Sequence, residues 1–168
     1  MAVQKGTRSK ASQTPTLRVG DEAPDFELPS HLGGTFKLSA LRGQKHVVIA
    51  FYPAAFTPVC SAQVPEYEAL KLRFESLNAQ VVGISVDSTF SNQAWAQALG
   101  GITYPLLSDF WPHGEVARRY GVLIEDKGIA ERAVFVIDKQ GKIAYIDVHE
   151  IGEQPDPEPV FAVLRQLG

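Results

Sequence analysis

The stretch that decides the fold is Val47-Val48-Ile49-Ala50-Phe51-Tyr52-Pro53-Ala54-Ala55-Phe56-Thr57-Pro58-Val59-Cys60. Its first six residues are apolar and β-prone, which is typical of a central strand that is covered on both faces. A sequence compatible with an amphipathic helix follows over residues 61–77. Cys60 therefore lies at a strand-to-helix junction, next to unpaired backbone N–H groups and the positive end of the helix dipole. That environment favours the thiolate, which is the nucleophilic form of cysteine.

The residues on either side of this stretch predict a mixed sheet. Upstream, residues 26–28 and 35–38 alternate apolar and polar side chains around a glycine-containing turn, which predicts a β-hairpin. Downstream, strands are predicted at residues 81–86, 104–107, 122–124, 133–137 and 142–148. Helices are predicted at residues 91–99, 112–120 and 157–167. This order indicates an α/β fold with helices on both faces of a mixed central sheet.

Three local signals refine these elements. Pro65 lies inside the helix over residues 61–77, where a proline removes a backbone hydrogen bond, so we expect a kink there. Ser88 or Ser91 is expected to cap the helix over residues 91–99. Pro105 cannot donate to a strand ladder, so its strand is predicted at an edge of the sheet.

Composition indicates an ordinary globular domain. The chain has 168 residues, of which 45% are hydrophobic and 21% are charged, and its formal net charge is −3. This balance argues against a disordered chain, and the slightly acidic net charge gives no argument for binding to nucleic acid or to an anionic membrane. No apolar run approaches the ~18 residues of a membrane span. One cysteine cannot form an internal disulfide, which fits a reducing compartment, and we expect a cytoplasmic protein.

The first 16 residues differ from the rest of the chain. They carry Lys5, Arg8 and Lys10 with no acidic residue, and they lack the apolar stretch of a secretory signal. We predict a disordered tail over residues 1–16 and a single domain over residues 17–168. An organelle transit peptide is the alternative interpretation of the tail.

The spacing of three residues carries a family resemblance. Pro53-x-x-x-Thr57-x-x-Cys60 after a buried strand resembles the active-site motif of the peroxiredoxins, which are thiol-dependent peroxidases. The resemblance spans roughly residues 17–168 and implies a thioredoxin-like fold with an N-terminal β-hairpin. It also implies that Cys60 is the nucleophile that attacks the peroxide. The alternative for a lone cysteine is a small buried hydrophobic side chain.

Thr57 and Pro53 each have a functional and a structural interpretation. The resemblance implies that the Thr57 hydroxyl contacts both the sulfur and the bound peroxide, whereas its position before Pro58 is also typical of a helix N-cap. Pro53 has a rigid apolar ring and no N–H, so it is suited to cover the pocket and exclude water. It is equally suited to end a strand.

A fixed cation is expected at the site because charge develops there during the reaction. The sequence Arg132-Ala133-Val134-Phe135-Val136-Ile137-Asp138 resembles the family pattern in which an arginine before a strand reaches the sulfur and the peroxide. Gln63 resembles a position that orients this arginine, and Glu66 is a weaker candidate. The alternatives are a solvated charge for Arg132 and an exposed polar residue for Gln63. The backbone N–H groups of Val59 and Cys60 are expected to reach the peroxide.

Turnover must use an external thiol, because the chain has no second cysteine. One variety of relatives has a resolving cysteine five residues after the first, and Pro65 stands there in this sequence. The chain thus resembles the one-cysteine subset and is most similar to the bacterial AhpE-like branch. The resemblance implies a low-molecular-weight thiol, thioredoxin, glutaredoxin or a similar redoxin as reductant. It also implies a homodimer that forms near Phe110 and Trp111; Trp111 itself is expected in the core or at this interface.

Other chemistries lack their motifs. The four histidines have no metal-ligand spacing, there is no Cys-x-x-Cys, and no glycine-rich phosphate loop is present, so we expect neither metal nor cofactor. Three functions remain. The first is a peroxidase for hydrogen peroxide or organic hydroperoxides that passes through a Cys60 sulfenic acid. The second is a peroxide sensor that oxidises Cys60 once and passes the signal to a partner protein. The third is a structural role independent of Cys60.

Overall fold

The computed structural model of the protein describes residues 13–168, together with the backbone of residues 5 and 6. Within these residues the strands are β1 (Lys5–Gly6), β2 (Glu27–Pro29), β3 (Thr35–Lys37), β4 (His46–Phe51), β5 (Ala79–Ser85), β6 (Leu106–Ser108), β7 (Leu123–Ile124), β8 (Ile129–Ala130), β9 (Arg132–Ile137), β10 (Ile143–His149) and β11 (Gln154–Pro155). The helices are α1 (Cys60–Ala69), α2 (Lys71–Ser76), α3 (Thr89–Ala98), α4 (Glu115–Arg119) and α5 (Glu158–Leu167). A 3-10 helix covers Leu38–Leu41.

The central sheet has five strands in the order β10-β9-β4-β5-β6. β4 is parallel to β5 and antiparallel to β9, so the sheet is mixed, as predicted. Val48 of β4 pairs with Val81 on one side and with Val136 on the other. All six residues of β4 are buried, because neighbours flank the strand and side chains cover both of its faces. The continuous apolar run in the sequence thus marks the central strand.

Alternate residues of β4 and β9 point to two hydrophobic clusters, as the two-residue period of a strand requires. The α4 face of the sheet is covered by α4 and by the β2–β3 hairpin, and its strand residues include Val47, Ile49, Phe51, Ala133, Phe135 and Ile137. The α1 face is covered by α1, α2, α3 and α5, and its strand residues include Val48, Ala50, Val134 and Val136. The prediction of helices on both faces is confirmed. The fold is the thioredoxin-like α/β fold that the sequence predicts.

Close packing on the α1 face explains the glycine in β5. A Cβ at Gly83 would lie 2.9 Å from Leu106 Cδ2 and 3.0 Å from Tyr52 Cε1. The missing side chain therefore makes room for the ring of Tyr52, directly after β4. This packing fixes the start of the loop that leads to Cys60.

The segment predicted as one helix over residues 61–77 is two helices. α1 continues through Pro65 to Ala69, and α2 begins at Lys71. The interruption falls at Leu70, where φ is −96° and ψ is 5°, and not at Pro65. A proline near the start of a helix removes only the bond to the carbonyl four residues earlier, and α1 tolerates that loss.

Capping side chains set the starts of two other helices. Ser88 Oγ accepts the N–H of Ser91 at 3.1 Å and caps α3, which selects Ser88 from the two predicted candidates. The helix predicted over residues 112–120 begins only at Glu115. The carboxylate of Asp109 accepts hydrogen bonds from the backbone N–H groups of Val116 and Ala117, at 3.1 and 2.9 Å. It thereby supplies partners for donors in the first turn of α4 that lack an intrahelical acceptor.

The predicted tail, residues 1–16, lies mostly outside the described residues. Its residues 13–16 are described, and there the hydroxyls of Thr14 and Thr16 donate to the carbonyls of Tyr120 and Arg119 at 2.9 Å each. Leu17 is buried in the cluster on the α4 face. The described domain therefore begins at least four residues before the predicted boundary. Disorder of the residues before it stays a prediction.

Candidate active site

The loop between β4 and α1 carries Pro53 and Thr57 and leads to Cys60. It leaves the sheet after Phe51 and reverses direction at Phe56, whose φ of 65° is unusual for a residue other than glycine. The ring of Phe56 packs against Trp95 of α3, with centroids 6.3 Å apart. The loop then enters α1 at its first residue, Cys60.

Cys60 is buried at the predicted strand-to-helix junction. The backbone N–H of Ser61 donates to the Thr57 carbonyl at 2.9 Å, and that of Gln63 donates to the Val59 carbonyl at 2.9 Å. These are among the first backbone hydrogen bonds of α1. The N–H groups of Val59 and Cys60 precede them, at the end of the helix where backbone donors lack intrahelical partners. Their contact with a peroxide stays a prediction.

Arg132 brings a cation to the sulfur. It is the first residue of β9, it is 1% exposed, and its Nη2 donates to Cys60 Sγ at 3.2 Å. Its Nη1 donates to Gln63 Oε1 at 2.7 Å, and its Nε donates to the Ile151 carbonyl at 3.0 Å. Three acceptors, two on α1 and one at Ile151, therefore fix the guanidinium. The alternative of a solvated charge is wrong for this arginine.

Gln63 lies one turn into α1 and faces inward. It is 1% exposed, so the alternative of an exposed polar residue is wrong. Its side-chain carbonyl accepts a hydrogen bond from Arg132. The orienting role that the resemblance implies stays a prediction. Tyr67 lies one turn further along α1, and burial raises the pKa of its phenol far above its ordinary value.

Thr57 does not cap α1. Its Oγ1 donates to the carbonyl of Ala54 at 2.7 Å, and α1 has no side-chain cap at its N-cap residue, Val59. The helix begins three residues after Thr57, too far along for the predicted cap. With its proton directed to Ala54, the hydroxyl oxygen keeps its lone pairs for a donor such as a peroxide O–H.

Pro53 is buried two residues after the end of β4. This position agrees with both interpretations, the end of the strand and the cover of a pocket. Its contact with substrate stays a prediction.

A second group of polar side chains lies beside Arg132 on the α1 face. His149 is the cross-strand partner of Arg132, and its Nε2 lies 2.6 Å from Asp147 Oδ2. Tyr145 donates its hydroxyl to the same carboxylate oxygen at 2.9 Å. The hydrogen bond with Asp147 raises the pKa of His149 above its ordinary value, against the effect of burial. These residues alternate with apolar ones along β10, and that pattern could have indicated a buried polar cluster.

Trp111 is 81% exposed and Phe110 is 54% exposed. The prediction of a core position for Trp111 is therefore wrong, and the interface alternative remains. Both side chains border a surface cavity of about 390 Å³ that is also lined by Pro29, Ser88, Thr89, Phe90 and Ser108.

The part of the chain that the structure describes contains neither a metal-binding cluster nor a helix that could span a membrane. No cluster of three or more histidine, cysteine, aspartate or glutamate side chains there is arranged to hold a metal ion. None of the described helices combines the length and the apolar character that crossing a membrane requires.

Comparison with known proteins gives consistent matches. The model of the AhpC/TSA family matches residues 19–146. The chain is 41% identical over 158 residues to the chloroplastic 2-Cys peroxiredoxin BAS1 of Spinacia oleracea, covering 89% of this chain and 59% of that protein. It is 39% identical over 140 residues to alkyl hydroperoxide reductase E of Mycobacterium tuberculosis, covering 83% and 91%. The chain thus spans about 59% of the length of the plant relatives.

Solved structures agree with this result. The reduced 2-Cys peroxiredoxin of Plasmodium vivax superposes with a TM-score of 0.81 at 29% identity, covering 88% of this chain and 80% of that one. The peroxidoxin BcpB of Mycobacterium tuberculosis gives a TM-score of 0.76 at 33% identity, covering 89% and 97%.

Proposed function

This chain belongs to the AhpC/TSA family, the peroxiredoxins, and on that premise we propose that it is a thiol-dependent peroxidase. Its substrates are hydrogen peroxide and organic hydroperoxides, and its nucleophile is Cys60. The observation that carries the proposal is the sulfur of Cys60 at the start of α1, 3.2 Å from the fixed guanidinium of Arg132. A buried arginine that donates to a buried thiol is an expensive arrangement for stability alone, because a charge loses hydration on burial.

The first chemical step transfers one oxygen atom. The Cys60 thiolate attacks the terminal oxygen of ROOH, an S–O bond forms, and the O–O bond breaks. Sulfur is oxidised to the sulfenic acid, and the peroxide is reduced to RO⁻, which takes a proton from solvent. Arg132 and the first backbone N–H groups of α1 stabilise the negative charge as it moves from sulfur to the leaving oxygen. The hydroxyl oxygen of Thr57 accepts a hydrogen bond from the O–H of the peroxide and so orients the substrate.

The second stage uses a thiol from outside the chain, because Cys60 is the only cysteine. The external thiol attacks the sulfenic sulfur, which forms a mixed disulfide and releases water. A second thiol then attacks this disulfide, so that Cys60 returns as a thiol and the two external thiols leave as a disulfide. A low-molecular-weight thiol, thioredoxin, glutaredoxin or a similar redoxin supplies these electrons.

The assembly and location proposed for the protein are a homodimer in the cytoplasm. The exposed side chains of Phe90, Phe110 and Trp111 support a protein interface, since large apolar groups cluster on this surface. The single cysteine supports a reducing compartment. Sedimentation that shows only monomer at micromolar concentration would contradict the dimer.

The direct test is stopped-flow fluorescence of the reduced protein mixed with hydrogen peroxide. Trp95 is a suitable reporter because its Nε1 donates to Ser61 Oγ, directly after Cys60, at 3.3 Å. We expect second-order oxidation far faster than that of a free thiol, no such phase in Cys60→Ser, and multiple turnovers when thiol is added. A single stoichiometric oxidation would favour the sensor instead. A slow rate with no sulfenate trapped by dimedone would contradict both functions.

A further inference from the structure

One peptide group in the active-site loop is held from two sides. The carbonyl of Ala54 and the N–H of Ala55 belong to the same planar peptide unit. The carbonyl accepts the hydroxyl of Thr57 at 2.7 Å, and the N–H donates to Asp87 Oδ2 at 2.9 Å. The peptide therefore connects a carboxylate outside the loop with the hydroxyl proposed to orient the peroxide.

Asp87 is itself anchored to the sheet. It lies between β5 and α3, and its Oδ2 also accepts the hydroxyl of Ser85, the last residue of β5, at 2.7 Å. Its backbone carbonyl accepts the hydroxyl of Ser108, the last residue of β6, at 2.7 Å. Two neighbouring parallel strands thus anchor Asp87, β5 through its carboxylate and β6 through its backbone carbonyl.

We propose that Asp87 is a positioning residue for peroxide reduction, which acts on Thr57 through the 54–55 peptide. This inference rests on the proposed function. The chain of contacts runs from the Asp87 carboxylate to the Ala55 N–H, across the peptide to the Ala54 carbonyl, and on to Thr57 Oγ1. A role for this aspartate was not evident from the sequence, where it only follows the strand predicted over residues 81–86.

The physical basis is the direction of one hydroxyl proton. A hydrogen bond to a carboxylate is stronger than one to a neutral acceptor, and it polarises the peptide so that the carbonyl accepts more strongly. The Thr57 hydroxyl then keeps its hydrogen bond to the Ala54 carbonyl, and the lone pairs of the Thr57 oxygen stay available to the peroxide. Without Asp87 the peptide is free to rotate and the hydroxyl is free to direct its proton elsewhere. Arg132 still contacts the sulfur in that case, so the thiol itself keeps its environment.

The neighbouring residue, and not Asp87, has the structural role of capping α3. Ser88, not Asp87, caps α3 by accepting the N–H of Ser91. Ser88→Ala is therefore a matched control, since it weakens the same loop and leaves the contact between Asp87 and Ala55 in place.

Two reagents separate positioning of the peroxide from reactivity of the sulfur. Hydrogen peroxide needs both the thiolate and the oriented Thr57 hydroxyl, whereas alkylation by iodoacetamide needs only the thiolate. For Asp87→Ala we expect the second-order rate with peroxide to fall by about 100-fold, the typical effect of a small misplacement at a reacting centre. We expect the alkylation rate to change by less than a few-fold. Asp87→Asn keeps an acceptor oxygen and should recover most of the peroxide rate, and Ser88→Ala should resemble the parent protein in both reactions.

A double-variant cycle tests whether Asp87 acts through Thr57. Thr57→Val removes the hydroxyl, so adding Asp87→Ala to it should slow the peroxide reaction no further. The inference would be overturned if the rate loss in the double variant equalled the product of the two single losses. Equal losses in the peroxide and alkylation rates for Asp87→Ala would overturn it as well. A parent protein that fails to react rapidly with peroxide would instead overturn the proposed function on which the inference rests.

Discussion

The two faces of the central sheet, the α4 face and the α1 face, carry different chemistry. On the α4 face, Phe51, Tyr120 and Phe135 meet edge to face or tilted, with ring centroids 5.2–5.7 Å apart. On the α1 face, β9 carries Arg132, and β10 beside it carries Asp147 and His149. One sheet therefore contributes stability through non-directional apolar packing on one side and places charged groups on the other.

The difference indicates where substitutions should affect stability and where they should affect the reaction. Apolar packing depends on volume, so a truncation on the α4 face leaves a cavity but no misplaced charge. Buried polar groups depend on their partners, so a truncation on the α1 face leaves another group without its hydrogen bond. Three substitutions test this separation.

The largest expected effect is on the α4 face. Phe135→Ala removes a fully buried ring that packs against Phe51 and Tyr120, and we expect it to lower the free energy of unfolding by about 3–5 kcal/mol. The measurement is urea denaturation. The peroxide rate per folded molecule should stay within a few-fold of the parent value. A rate loss as large as that of an active-site variant would show that the two faces are not separate.

The second effect is on the α1 face. Arg132→Ala removes the donor to Cys60 and Gln63, and we expect the second-order rate with hydrogen peroxide to fall by about 100- to 1000-fold, as for loss of one charge-stabilising donor. Stopped-flow fluorescence measures the rate. Arg118→Ala, in an exposed ion pair with Glu125, is the matched control and should leave it unchanged. An unchanged rate in Arg132→Ala would remove this arginine from the site.

The smallest effect concerns pH and His149. Its pKa is raised in the folded state by the hydrogen bond with Asp147, so folding favours the protonated form. This contribution to stability is fully present below the unfolded pKa of about 6.5 and is lost as the pH rises through the raised folded pKa. We therefore expect the parent protein to lose stability relative to His149→Gln as the pH is raised from 6 to 9, measured by urea denaturation.

The other buried histidines serve as an internal check. Burial lowers the pKa values of His31 and His46, so their contribution is present at higher pH and is lost as the pH falls. Their effect on the change of stability with pH is opposite in sign to that of His149, and it is the same in the parent protein and in His149→Gln. The difference in stability between the two proteins therefore isolates His149. Identical pH slopes in the two proteins would show that the pair with Asp147 does not favour the protonated histidine.

Much of the fold was predictable because it follows local patterns. The apolar run at β4, the alternation in the hairpin and the serine before α3 each reflect neighbours within a few residues. The strand-to-helix junction placed Cys60 correctly for the same reason. The break at Leu70 was missed, because it has no local sequence signal as strong as the proline that precedes it.

The candidate site was predictable only where a motif or a family resemblance supplied it. Arg132 and Cys60 are 72 residues apart, and no spacing rule brings them together. Asp87 reaches the loop over 32 residues, and the Asp147–His149 pair joins the site through strand register. Such contacts depend on which strands pair and in what register, and local sequence patterns do not specify that pairing.

The position of Arg132 at the start of β9 also links reactivity to the assembly of the sheet. Successive residues of a strand point to opposite faces, so a slip of one residue between β9 and β4 would turn Arg132 away from Cys60 and bring Ala133 to its place. Misassembled chains would then retain a thiol but lack its cation. In a refolding experiment, the amplitude of the fast peroxide phase would therefore count correctly paired molecules, and total thiol titration would count all of them.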